Sequence, residues 1–502
     1  MHEADMRTDR PGRSRHVVVI GGGIAGLAAA HRLLAEGVRV TLLEAGDRLG
    51  GKLYAGELAG APVDLGAESL LARRPEALEL ARAVGLGEAL QPPATATAHL
   101  WTRGELRPMP RGHVMGVPGD TAPLAASGVL SPEGLARIEA DRELPPTEVG
   151  EDVAVGEYVA ARMGREVVDR LVEPLLGGVY AGDAYRISMR AAVPALYEAV
   201  RTHPTLTESV RALQAGAASR AAAERTTVTG AAATGAFFAG IEGGIGRLPL
   251  AVADACRAAG ARLVTGAPAR EVARTAEGWR VVTGSEVIKA DGVVLATPAG
   301  PAARLLGDLA PTAAAELRGV EYASMALVTM AFRRCDLPAS VTGGGASGFL
   351  VPPVDGRTIK ASTFSSNKWA WSGADPELFL LRTSVGRYGD EADLKREDGE
   401  LVEVSRADLG EAVGLAARPV ASTVTRWDGG LPQYPVGHLS RVERIRGAVA
   451  ALPGLAVCGA VYEGVGVPAC IASAGKAVHA VIGSFGARSA PLAQTTDQHT
   501  GQ

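Results

Sequence analysis

Residues 16–44 constrain this chain more than any other stretch. His16–Ile20 (HVVVI) is a β-branched run that reads as a strand buried on both faces. Gly21-x-Gly23-x-x-Gly26 follows at once and opens a segment, Ile24 to Glu36, with Leu27, Ala30, Leu33 and Leu34 at helical spacing. Gly37 stands where such a helix is capped, and Val38 to Leu43 reads as a second strand ending at Glu44. Each glycine has a physical reason. Gly21 allows a tight turn, Gly23 lets backbone approach a pyrophosphate, and Gly26 lets helix and strand pack closely. Free N–H groups and a positive dipole at the helix start then favour phosphate. Glu44, 18 residues past Gly26, is placed to hold a ribose diol.

This fingerprint serves an ADP end and does not choose between NAD and FAD. The loop that follows, Ala45 to Lys52, sets Arg48, Gly50, Gly51 and Lys52 directly after the ribose carboxylate. Such a loop can track an extended cofactor past its pyrophosphate; a plain surface turn is the alternative. Asp64-Leu65-Gly66-Ala67-Glu68 is a further glycine turn whose backbone could pass close to a flat ring. Two distant segments complete the pattern. Val293 to Pro298, with Ala296 and Thr297 at its end, is a buried strand stopped by proline. Leu455 to Ala460, then Gly464-Val465-Gly466-Val467-Pro468, is a second strand–glycine–helix arrangement. Its helix start could face a developing negative charge such as a flavin carbonyl. Taken alone, either segment is as well explained by structure.

The chain has 502 residues, enough for two to four domains. The pattern over 132–230 is helical, with amphipathic stretches at Val153 to Met163, Glu166 to Leu176 and Leu206 to Ala223. Strand signals return at Arg262 to Thr265, Trp279 to Thr283, Ser324 to Phe332 and Leu378 to Ser384, and Ala472 to Phe485 reads as a closing helix. Residues 1–15 and 488–502 read as disordered tails. A net charge of −4 gives no case for nucleic acid or an anionic membrane. The four cysteines are scattered, without zinc spacing, so a reducing cytoplasm is expected. The apolar run Val17 to Ala30 holds four glycines in 14 residues and is too short to span a bilayer; no transmembrane segment is expected.

These residues resemble the flavin-containing amine oxidase superfamily, whose mark is the Glu44-x3-Arg48-x-Gly50-Gly51 loop. Further motifs are similar to those of bacterial FAD-dependent protoporphyrinogen and coproporphyrinogen III oxidases. They are Asp64 to Ser69 with Ala72-Arg73-Arg74-Pro75, Glu173 to Asp183, Gly243 to Pro249, Ser362 to Trp369, Leu431 to His438 and Glu463 to Ile471. Three features depart from the superfamily pattern. Ala460 stands where an Asp is common, so backbone N–H groups must serve there. Lys52 stands where Arg is common. Tyr462 is single, so no aromatic pair flanks the last glycine turn, which argues against an amine substrate.

The resemblance implies α/β and α+β architecture in three domains: a Rossmann-type FAD-binding domain built from separated segments (16–90, 236–300, 440–487), a mixed-sheet substrate domain (91–115, 301–439) and a helical domain (116–235). It adds Ile24, Ala25, Ala45, Ser69, Val272, Val465 and Val467 to the FAD contacts read above. It implies oxidation of a porphyrinogen, with FAD accepting electrons in three two-electron rounds and passing them to O2, and no metal. Coproporphyrinogen III, with four propionates, is favoured over protoporphyrinogen IX, with two. Arg73, Arg74, Lys360 and Lys368 are each either a propionate partner or a solvated cation, and Glu68 sits near the flavin or bridges to Arg73. The expected setting is cytoplasmic, with at most peripheral membrane contact and a transient contact with the next enzyme of haem synthesis.

Overall fold

The computed structural model describes residues 14–227, 237–343 and 345–487. Most of both tails lies outside this range. Ser14 and Arg15, assigned above to the first tail, are tied down: the Ser14 hydroxyl donates to the Gly37 carbonyl at 2.9 Å, and Arg15 pairs with Asp291 at 3.2 Å.

The fingerprint strand is the centre of a five-stranded parallel sheet. Its order is Arg262–Val264, Arg39–Leu43, His16–Ile20, Gly292–Leu295 and Leu455–Val457. In register, Val18 stands opposite Thr41 on one side and Val293 on the other. Both faces are covered, as a parallel sheet requires. Val17 and Val19 pack with the helices Ile24–Ala35, Arg247–Ala258 and Val467–Ala487. Val18 and Ile20 pack with Ala299–Leu306, Pro311–Arg318 and His438–Ala450. Every side chain of His16–Ile20 is buried, and full burial of each such valine stabilises the fold by about 1.5–3 kcal/mol.

The fingerprint helix ends at Ala35, one residue before the expected Glu36, and Gly37 turns away with φ +73°. The closing helix begins at Val467 rather than Ala472. Pro468 lies in its first turn, where a missing N–H costs nothing, so a residue that reads as a breaker is here a starter. Val467–Phe485 is long and apolar enough to cross a membrane by length and composition. Half of it is buried within the fold, packed beside the fingerprint helix.

A seven-stranded mixed sheet forms the second layer: Ala421–Pro432, Tyr322–Arg333, Leu378–Val385, Ile359–Thr363, Gly348–Leu350, Ala98–Thr102 and Glu105–Pro108. All its pairings are antiparallel except Gly348–Leu350 with Ala98–Thr102. Phe379, Leu381 and Val385 face the helix Asp398–Val413. Arg382 lies between them in sequence and therefore faces the other way, toward the parallel-sheet half. A third apolar cluster holds the helices between Pro132 and Thr227. The strands of the parallel sheet thus fall within 16–90, 236–300 and 440–487, and those of the mixed sheet within 91–115 and 301–439.

Candidate cofactor and substrate site

The fingerprint turn is built by close approach. Gly21 has φ +112°, and a Cβ there would lie 2.5 Å from the Ala296 carbonyl oxygen. A Cβ on Gly26 would overlap the Gly21 carbonyl oxygen. Gly23 is different: a Cβ would meet nothing within 4 Å, so its backbone borders open space at the start of the helix. Ile24 and Ala25 supply the first helical N–H groups beside it.

Glu44 ends the second strand with both oxygens engaged. Oε2 accepts from Gly22 N at 2.6 Å and Oε1 from Gly46 N at 2.7 Å. A carboxylate offers about four lone-pair sites, so two remain for the hydroxyls of a ribose. The Ala45 to Lys52 loop then lies directly on the fingerprint, with Gly50 N donating to Gly22 O at 2.8 Å and Gly23 bridged to Gly50. Arg48 is held by the Gly51 carbonyl at 2.8 Å and stacks on Tyr54, its guanidinium 3.7 Å from the ring centroid. Lys52 follows at the end of this loop and is exposed, and desolvation by the protein around it lowers its ammonium pKa. The buried Thr297 hydroxyl has no partner among the described residues, an orphan at the same crossing. Val272 is packed in the core beneath, in one cluster with Leu43 and Leu295. An open glycine backbone, spare carboxylate lone pairs, a cation at the end of the loop and an orphaned hydroxyl all fit a dinucleotide.

The Asp64–Glu68 turn continues this cleft. Ala67 N donates to the Lys52 carbonyl at 3.1 Å. The Asp64 carboxylate is buried and accepts from Ile245 N at 2.9 Å and Gly246 N at 2.8 Å. Burial raises its pKa to about 7 against those bonds. From the mixed sheet, Arg382 donates to the Gly66 carbonyl at 2.7 Å and Trp427 to the Leu65 carbonyl at 3.1 Å. Neither residue is legible as a site residue from sequence; the signal, for Arg382, is a lone charge inside an apolar strand.

Glu68 does not bridge to Arg73. It pairs with Lys368 at 2.7 Å and Arg382 at 3.0 Å. Burial pushes its carboxyl up, and the two cations outweigh this and hold it below the usual range. Lys368 also donates to Ser69 Oγ at 2.8 Å, so it is an internal counter-ion and not a cation free for substrate. Arg74 pairs with Glu76 at 2.6 Å. Arg73 is the freer of the two: it lies over the half-exposed ring of Phe237, 4.9 Å from its centroid. Lys360 is no solvated cation either, being only 7% exposed.

The last wall is the C-terminal glycine turn. Cys458 N donates to Leu295 O at 2.9 Å, and Gly459 N to Ser473 Oγ at 3.1 Å. Gly464, Val465 and Val467 lead into the closing helix, and the Cys470 thiol is 3.7 Å from the Gly464 carbonyl. Where the superfamily acid is replaced by Ala460, the carbonyl of that residue accepts from Tyr434 Oη. His438 stacks on Tyr434 at 4.1 Å, and its Nε2 donates to the Val461 carbonyl at 2.9 Å. Burial drives the His438 pKa down to about 4, so the ring is neutral and positions this turn rather than carrying charge.

Fold and site together define a dinucleotide-binding oxidoreductase with its cofactor cleft closed over by a second sheet. Residues 24–482 match the family model for flavin-containing amine oxidoreductases, and the chain belongs to that family. It is a flavoenzyme that takes FAD. It is 36% identical over 482 residues to the coproporphyrinogen III oxidase of Mycobacterium tuberculosis, covering 94% of this chain and 99% of that one. The coproporphyrinogen III oxidase of Bacillus subtilis is 31% identical, covering 91% and 96%. A solved structure from Exiguobacterium sp. 255-15 is similar with a TM-score of 0.79 at 31% identity, covering 93% and 99%. The cyclohexylamine oxidase of Brevibacterium oxydans shares the fold, with a TM-score of 0.67 at 18% identity.

Proposed function

We propose that this enzyme oxidises coproporphyrinogen III to coproporphyrin III in haem synthesis, in the cytoplasm, with O2 as acceptor. The carrying observation is similarity along nearly the full length of both chains to relatives named for that reaction. When bound, FAD would accept a hydride equivalent in each of three rounds and return it to O2 as H2O2, three in all. The chain's own residues bind and orient. The fingerprint glycines and Glu44 would hold the ADP half, Arg48 to Lys52 the pyrophosphate, and Gly66 to Ser69 with Gly464 to Val467 the ring. Arg73, beside Phe237, is offered to a substrate carboxylate, and the aromatic ring to a pyrrole face of the macrocycle. Pyrrole N–H protons leave to solvent or to a local base. Release of product to the next enzyme of the pathway needs only a transient contact.

A second reading, protoporphyrinogen IX as substrate, draws on a relative of that name in Macaca fascicularis at 29% identity over 94% of this chain. One experiment separates the readings. The purified protein is expected to carry flavin absorption that bleaches on anaerobic addition of coproporphyrinogen III, and in air to yield fluorescent porphyrin. A kcat/KM for protoporphyrinogen IX about tenfold higher overturns the substrate assignment. An unchanged flavin spectrum with either porphyrinogen overturns the reaction itself.

A further inference from the structure

Lys360 is a buried cation with nothing to neutralise it. It is 7% exposed, and its Nζ has no hydrogen-bond partner among the described residues. An uncompensated buried ammonium costs several kcal/mol, so such a group either gives up its proton or draws an anion from elsewhere. A second cation stands beside it. Arg387 follows the Leu378–Val385 strand and is half-buried; its Nη2 donates to the Val351 carbonyl at 3.1 Å. The Val351 N–H in turn donates to the Lys360 carbonyl at 2.9 Å, so one peptide separates the two side chains' anchor points. Neither Lys360 nor Arg387 makes an ion pair among the described residues.

The corner is walled by the helix Glu173–Tyr180, which packs on the strands carrying Lys360 and Leu350. Tyr388 N donates to the Ala181 carbonyl at 2.7 Å and fixes the Arg387 backbone against the end of that helix. Of the acids that act on Arg387, Asp390 comes first, then Glu173 and Asp408; none forms an ion pair with it among the described residues, and the Glu173 Oε2 is taken by Ala184 N at 2.6 Å. Burial lifts its pKa to about 7, so it is poorly suited to neutralise two cations. Burial, with the charge of Arg387, lowers Lys360 to about 7 as well. Lys360 and Arg387 are both displaced in the direction that an added anion would reverse. Leu350 and Val465, the latter from the turn beside the proposed flavin ring, pack against the same apolar cluster, which places the corner and that turn on one core.

We propose that Lys360 and Arg387 form a carboxylate subsite that takes one propionate of the porphyrinogen, and that this contact favours a substrate with four carboxylates over one with two. A monoanion fits better than a phosphate: one carboxylate can accept from both cations, and a Glu173 carboxyl carrying its proton can donate to it. The inference rests on the porphyrinogen reading above and deepens it.

The test uses the flavin-loaded full chain and porphyrins that do not react: coproporphyrin III, its tetramethyl ester and protoporphyrin IX, with binding read from porphyrin fluorescence. Lys360→Met is expected to weaken coproporphyrin III about ten- to hundredfold, protoporphyrin IX less, and the ester not at all. Lys360→Arg, which keeps the charge, is expected to recover much of the loss. Unchanged coproporphyrin III binding in K360M, with flavin content intact, overturns the subsite. Where K360M does not fold, Arg387→Gln makes the same comparison, and an equal loss for acid and ester there overturns it too. A wild-type protein that oxidises no porphyrinogen sinks the functional reading instead; one that oxidises coproporphyrinogen III but ignores Lys360 sinks the subsite alone.

Discussion

Two glycines of one fingerprint carry different burdens, and a methyl group tells them apart. At Gly26 a Cβ would overlap the carbonyl oxygen of Gly21 and press on the Ala296 side chain at 3.2 Å. Backbone cannot move aside as a flexible side chain can, so Gly26→Ala is expected to destabilise the folded chain by about 1–3 kcal/mol and to lower its flavin content. At Gly23 a Cβ meets no atom, so Gly23→Ala is expected to leave thermal stability within about 0.5 kcal/mol while weakening FAD at least tenfold, because the methyl enters the space offered to the pyrophosphate. Melting temperature of the apoprotein, with flavin absorbance per chain, separates the two. Equal melting losses would mean that Gly23 is a structural residue. Asp64 makes a second residue-scale prediction, in pH. Its folded pKa, about 7, lies above the unfolded carboxyl value of 3.8. Between these values the native state holds more protons than the unfolded one, so stability falls as pH rises through this window, by at most about 4 kcal/mol. Asp64→Asn removes that slope. Relative to wild type it is expected to gain between about pH 4 and 7 and to stay level above, as read by urea midpoints; a difference independent of pH rejects the assignment.

Among the elements, those made from neighbouring residues were legible and those made from distant ones were not. The fingerprint strand, turn and helix depend on residues within one βαβ unit, and they stand where the spacing of valines and glycines put them. The same spacing misplaces the start of the closing helix, at Ala472 rather than Val467, where Pro468 occupies the first turn. The partner of Lys368, and Arg382 altogether, escaped for a larger reason: each finds Glu68 some 300 residues away, through the folding of the mixed sheet against the cofactor half. The helical layer holds a similar case. Arg162 and Asp141 are 1% and 0% exposed as a pair, and Asp141 also accepts from Thr207 N at 3.0 Å, tying three helical segments at one point. Replacing Arg162 by Met leaves a buried carboxylate alone and is expected to cost about 3–5 kcal/mol. The double variant Arg162→Met with Asp141→Leu is expected to recover part of this. Chemical denaturation followed by circular dichroism checks both; an Arg162→Met loss below about 0.5 kcal/mol would mean that water reaches the carboxylate.

At the scale of the molecule, the two largest sheets among the described residues share one turn. Gly66 and Leu65 belong to the cofactor half, and the side chains that hold their carbonyls, Arg382 and Trp427, belong to the mixed sheet. Glu68 closes the same junction through its two cations, so the Gly66 turn and the mixed sheet are positioned by one buried charge cluster. This coupling suits an enzyme that must keep a large, flexible substrate in one pose over successive rounds at a single flavin, since a shift of either sheet would carry the turn with it. The cluster has a pH signature opposite to that of Asp64. Its cations hold the Glu68 pKa below the unfolded value of 4.5. The native state therefore binds fewer protons near that pH, and the stabilisation is complete above the unfolded pKa and is lost as pH falls through the folded one. Glu68→Gln leaves Lys368 and Arg382 facing each other without an anion. It is expected to destabilise the protein by about 3 kcal/mol at pH 7, with the gap to wild type narrowing as the pH is taken below about 4.5. In a cycle with Arg382→Met the two losses are expected to fall short of additivity by 0.5 kcal/mol or more, since each residue's contribution depends on the other. Additive losses would mean that Glu68 and Arg382 serve their own sheets separately, and the junction would then rest on Trp427 and the Gly66 carbonyl alone.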